Sequence, residues 1–193
     1  GQSPSIKMLS KAQASPLGIT HCALIVINDS LPPRFLNMEN EMTSGRLPQT
    51  ALPHLYTLTL RVVPDEGQFS GREIIDIKIH QPVKAITLHA LEFVIEQACV
   101  HQKDQTLLAK VSEDHATETI TFTFLQNINP GIAQIEIVYS GRLNQQLRGL
   151  YEASHNGQKF AFTQFEATDA RRMFPCFDEP GMKAQFSLTV THP

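Results

Sequence analysis

The chain is predicted to be an all-β domain, a sandwich or a set of open twisted sheets, and three observations carry that prediction. Leu55 to Val63 alternates strictly: Tyr56, Leu58, Leu60 and Val62 fall on one side, Thr57, Thr59 and Arg61 on the other. This period of two marks a half-buried strand. Comparable stretches recur at short spacing with turn residues between them. No segment sustains an amphipathic helical period over three turns.

The elements follow in order. Residues 1–45 hold several Ser, Pro and Asn residues without a sustained period. They read as an extension, poorly structured or partly β, with one short strand at Leu24 to Ile27. From Arg46 the strand pattern begins, and residues 46–193 form the domain. Leu55–Val63 and Phe69–His80, joined by Asp65-Glu66-Gly67, read as a hairpin. Ala85 to Leu91 and Glu92 to Val100 read as a third long β region. Thr106 to Val111, Glu118 to Leu125 and Ala133 to Tyr139 follow, the last two separated by the turn Asn129-Pro130-Gly131. Phe186 to Val190 closes the chain as a strand.

Composition excludes several classes. At 193 residues and 41% hydrophobic content, one domain with a sizeable core is expected. A net charge of −3 with scattered Lys and Arg points to no nucleic acid and no anionic membrane as partner. The longest apolar run, Cys22 to Ile27, is far too short to span a bilayer. Residues 1–30 supply no convincing secretory signal. Three cysteines, Cys22, Cys99 and Cys176, are too few and too scattered for a disulfide framework. Their odd number leans towards a reducing, cytoplasmic compartment.

No complete catalytic apparatus is visible. A metallopeptidase helix needs His-Glu-x-x-His, and none of the eight histidines is followed by Glu. His80, His89 and His101 are spaced too irregularly for a local metal site and read as strand histidines. No Gly-x-Ser-x-Gly elbow or phosphate-binding glycine loop is present. Cys176, between Pro175 and Phe177, reads as a core cysteine.

Residues 160–186 are unusually dense in specific side chains. Asp169, Arg171, Arg172, Asp178 and Glu179 flank an apolar Met173-Phe174-Pro175 core. Opposite charges this close can pair across a folded-back loop, and a salt-bridged structural loop is the plain reading. Gln164 and Glu166 differ. On an extended strand they would point to the same side, giving an amide carbonyl and a carboxylate suited to an ammonium group. The alternative is a solvated strand face.

Thr163-Gln164-Phe165-Glu166, then Thr168-Asp169-Ala170-Arg171-Arg172, then Phe174-Pro175-Cys176-Phe177-Asp178-Glu179-Pro180, resembles the N-terminal domain of the gluzincin aminopeptidases. The wording is most similar to the puromycin-sensitive and aminopeptidase N branch. Arg46-Leu47-Pro48, Pro53, Tyr56, Gly71 and Gly149-Leu150-Tyr151 also fit, so the resemblance covers roughly residues 46–193. It implies a saddle of β-sheets capping the cleft of a zinc-dependent catalytic domain. That domain would carry the zinc and its two histidines and glutamate outside this chain, and no cofactor would be bound here. The resemblance also implies that Gln164 and Glu166 hold the free α-amine of a peptide substrate. Asp169, Arg171, Arg172 and Asp178 would support the strand that presents them.

Two departures stand out. The family's Gly-x-Met-Glu-Asn loop lies in the catalytic domain, so Asn37-Met38-Glu39-Asn40, which lacks the glycine and precedes the domain, is read as a chance match. The family's N-terminal domain also runs some strands beyond the point matching Pro193, so an incomplete domain is expected, inactive as a peptidase by itself. The rival reading is a non-catalytic β scaffold of the same fold, against which Glu166 argues. A relative with a second hydrolase activity on a lipid epoxide is a further possibility, though the Phe-Glu pair after Gln164 looks more like the plain peptidases.

Overall fold

The computed structural model describes residues 46–193 throughout and residues 5–8 as backbone. The expected strand at Leu24–Ile27, the Asn37–Asn40 look-alike and Cys22 lie outside the described residues.

Eleven strands are described: β1 (Ser5–Met8), β2 (Ala51–Val63), β3 (Gln68–Ile79), β4 (Val83–His89), β5 (Phe93–Gln102), β6 (Gln105–Asp114), β7 (Thr119–Ile128), β8 (Gly131–Arg142), β9 (Gly149–His155), β10 (Gln158–Gln164) and β11 (Gln185–Thr191). Nine form one sheet in the order β1-β11-β2-β3-β8-β5-β6-β7-β4, and β9 and β10 form a separate hairpin. The only helical pieces among the described residues are two short 3-10 turns, Pro64–Glu66 and Ala170–Arg172. Among the described residues no helix is long and apolar enough to cross a membrane.

The β2 alternation is as the sequence dictates. Tyr56, Leu58, Leu60 and Val62 are buried, while Thr57, Thr59 and Arg61 are exposed. β2 and β3 pair antiparallel as the expected hairpin, turned by Pro64–Glu66 with Gly67 in the left-handed region at φ 64°. On β3 the inward set is Phe69, Gly71, Glu73, Ile75, Ile77 and Ile79. Gly71 is required there, since a Cβ would stand 2.4 Å from the ring of Tyr139 on β8. β11 joins the sheet parallel to β2, with Phe186 opposite Tyr56 and their rings stacked 4.7 Å apart.

Two expectations need correction. Residues 85–100 are not one β region. β4 and β5 are distinct strands that do not neighbour one another, because β4 lies at the sheet edge beyond β7 and β5 pairs with β8 and β6. Glu92, at φ 68°, marks the reversal that separates them. The β9–β10 hairpin was also not foreseen as a pair, although Asn156-Gly157, at φ 51° and 78°, is the positive-φ dipeptide that two-residue hairpin turns favour.

The sheet is closed over by the segment after the second 3-10 turn. Cys176 exchanges backbone hydrogen bonds with His89 at the end of β4, at 2.8 and 2.9 Å. The next amide, Phe177 N, donates to the Tyr56 hydroxyl on β2 at 3.0 Å. One stretch of backbone therefore ties together strands far apart in the sheet order. Met173, Phe174, Cys176 and Phe177 are buried there in the same apolar cluster as the sheet interior.

Candidate functional site

The sequence-predicted residues converge on the base of the β9–β10 hairpin. Gln164 is the last residue of β10 and stands opposite Gly149, the first of β9. Gly149 adopts φ 61°, and a Cβ on it would lie 2.4 Å from the Cβ of Arg172. Only glycine lets the hairpin base approach the Ala170–Arg172 turn this closely.

That turn is held by ion pairs on both arginines. Arg172 Nε donates to Asp169 Oδ1 at 2.9 Å, and its Nη1 lies 2.9 Å from Glu92 Oε1. Arg171, buried at 8% exposure, donates from Nε to Asp178 Oδ2 at 3.0 Å and from Nη1 to Glu118 Oε2 at 2.9 Å. The Arg171 carbonyl also accepts from Leu91 N at 2.9 Å. The expected pairing of opposite charges across a folded-back loop is thus observed. Glu179 makes a different bond: its Oε1 accepts from Leu47 N, pinning the entry of the domain to the same loop.

Sequence reasoning missed half of this network. Glu92 and Glu118 come from the β4–β5 and β6–β7 connections, and both sit at positive φ, 68° and 53°. No local signal links them to residues 171 and 172; only the sheet topology does.

Gln164 and Glu166 are both exposed, and neither side chain bonds another described residue. β10 ends at Gln164, and Glu166 follows in a turn, so strand alternation governs the direction of Gln164 only. Between them Phe165 turns to the bracket, packing edge-on to Phe174 with ring centroids 6.3 Å apart, and its carbonyl accepts from Asp169 N at 2.9 Å. Phe160 and Phe162 lie on the Gln164 side of β10, exposed at 41% and 48%, with Phe162 stacked on Tyr151 at 5.9 Å. This aromatic strip was another feature the sequence reading passed over.

On its other side the bracket borders a cleft of about 400 Å³, lined among others by Arg46, His89, Thr117, Arg171 and Asp178. Neither Gln164 nor Glu166 lines it. His89 stands in its wall with Nδ1 unpartnered among the described residues, and burial, with the nearby Arg171 cation, pulls its pKa down. Cys176 is the buried cysteine expected: burial, then the Asp178 charge, push its thiol well up, which makes it inert.

The description "Peptidase M1 N-terminal domain" matches residues 52–193. The chain belongs to the M1 peptidase family. Among curated relatives, Aminopeptidase 2 of Candida albicans is 35% identical over 149 residues, covering 75% of this chain and 16% of its own length. Aminopeptidase N of Acetobacter pasteurianus is 32% identical over 158 residues, 79% of this chain and 44% of its own. Alanine/arginine aminopeptidase of Saccharomyces cerevisiae is 35% identical over 159 residues, 77% of this chain and 18% of its own. The chain therefore spans less than half the length of each of these M1 relatives. The all-β M1 N-terminal domain expected from the motif is the fold observed.

Proposed function

We propose that this domain recognises the free α-amine of a peptide in a zinc-dependent M1 aminopeptidase that removes N-terminal residues. The observation that carries the reading is the contrast at the hairpin base. Asp169, Arg171, Arg172 and Asp178 are consumed in ion pairs, whereas Gln164 and Glu166 beside them are exposed and unpaired.

An ammonium offers donors only, so a carboxylate and an amide carbonyl complement it. An internal peptide bond brings no such charge, which makes the pair a device for exopeptidase specificity. The paired residues act as supports: they fix the turn on which Phe165 is anchored and hence where Gln164 and Glu166 stand. The exposed Phe160 and Phe162 supply an apolar floor on the Gln164 side.

The catalytic zinc has no ligand set in this chain, because no His-Glu-x-x-His occurs in its 193 residues. When bound in the whole enzyme, zinc supplies polarisation of the scissile carbonyl and an activated water. The domain's own residues bind and orient the amine. The free Cys99 and Cys176 fit a cytoplasmic, reducing setting.

The test compares the whole enzyme with the 193-residue chain on an aminoacyl-arylamide and on its N-acetylated form. The whole enzyme is expected to cleave only the free-amine substrate and to lose activity with a chelator, and the chain alone to cleave neither. Chelator-sensitive turnover by the pure chain, or equal cleavage of the acetylated substrate, contradicts the proposal.

A further inference from the structure

We propose that Cys99, His101 and Glu136 form a second, non-catalytic site for a zinc-class divalent ion on the outer face of the large sheet. The sequence expectation was that the scattered histidines build no local metal site, but Glu136 arrives from a different strand. In the β5–β8 ladder Cys99 stands directly opposite Glu136. Ile135 and Ile137, flanking Glu136, point into the core, so Glu136 and Cys99 face the other way. His101 follows Cys99 by two residues and shares that face. Their donor atoms all lie within 4.8 Å of one another.

The separations suit a metal. Cys99 Sγ is 3.3 Å from His101 Nε2, which is 3.1 Å from Glu136 Oε2. Tetrahedral coordination with bond lengths of about 2.3 Å to sulfur and about 2.0 Å to nitrogen and oxygen sets these edges at roughly 3.5 and 3.3 Å. Thiolate, imidazole and carboxylate together favour zinc over magnesium or calcium.

The surroundings hold the donors as an outer shell would. His101 Nδ1 lies 2.9 Å from Thr106 Oγ1, its cross-strand partner. Donation there leaves the Nε2 lone pair aimed at the other two ligands. Arg72 Nε donates to Glu136 Oε1 at 2.8 Å and leaves Oε2 free for coordination. Cys99 is buried, and His101, its side chain 36% exposed, leaves a route for the ion and a water as fourth ligand.

Binding replaces the Cys99 thiol proton, which passes to solvent, by a sulfur–metal bond. Without a metal, the same contacts are those of an imidazole between a thiol and a carboxylate.

The experiment is a titration of the 193-residue chain, carrying Cys22→Ser, with Co²⁺ as spectroscopic probe. One equivalent should saturate a sulfur-to-cobalt charge-transfer band in the near ultraviolet, and Zn²⁺ should displace it. Cys99→Ser should abolish the band, and His101→Gln and Glu136→Gln should each weaken binding at least tenfold, by the usual sensitivity of such sites to their ligands. His101→Gln alters a partly exposed side chain, so it tests the site even if Cys99→Ser fails to fold. Absence of the band, or Co²⁺ affinity unchanged in His101→Gln, overturns the proposal. Neither result bears on Glu166, so this site and the amine site stand or fall separately.

Discussion

Arg172 Cβ occupies the space next to Gly149, 2.4 Å from where a Cβ on that glycine would be. This contact joins the base of the β9–β10 hairpin to the ion-paired bracket. The partners are a backbone at φ 61° and a side-chain root that cannot swing away. Gly149→Ala should therefore cost about 2–4 kcal/mol, from the positive φ and the clash together. Urea unfolding checks this; a loss under about 0.5 kcal/mol, the range of neutral surface changes, means that the hairpin is not seated on Arg172.

Burial decides which ion pairs matter. Arg171 is 9% exposed at its side chain and holds Asp178, 17% exposed. Arg171→Met strands that carboxylate and should destabilise by about 3 kcal/mol or more. Glu92, 59% exposed, caps an Arg172 that keeps Asp169. Glu92→Gln should therefore change stability by less than about 1 kcal/mol. Equal effects in thermal melts would contradict the weighting.

Glu73 is fully buried on the core face of β3, with neither carboxylate oxygen partnered among the described residues. Burial pushes its pKa well above the usual range. Folded, it keeps its proton, whereas the unfolded chain releases one above about pH 4.3. The unfolded state then binds fewer protons, so stability falls as pH rises from there until the folded pKa is passed. Glu73→Gln should remove that fall and raise stability at neutral pH by about 1–3 kcal/mol, with little change below pH 4. Urea midpoints across this range decide it, and parallel curves for the two proteins would contradict it.

What was legible in the sequence was local. The β2 alternation, the Asp65–Gly67 turn and the lack of amphipathic helix all follow from residues near in sequence, and the structure repeats them among the described residues. The motif at 163–180 likewise led to the M1 family. What was hidden was non-local. Glu92 and Glu118 reach the arginines, and Glu136 reaches His101, only because the sheet order brings separated strands and loops together. Glu73 was hidden differently, being a charged residue at a core-facing position in an otherwise apolar alternation. The Asn156-Gly157 turn was readable and was overlooked.

The central claim is that Glu166, exposed and unpaired beside Gln164, holds the substrate amine. The direct measurement is the steady-state kinetics of Glu166→Gln in the whole enzyme on a free-amine peptide substrate. Loss of one charge-assisted hydrogen bond, about 1.5–3 kcal/mol, predicts KM higher by roughly 10- to 150-fold. An unchanged KM, with the protein folded and its zinc in place, would contradict the account.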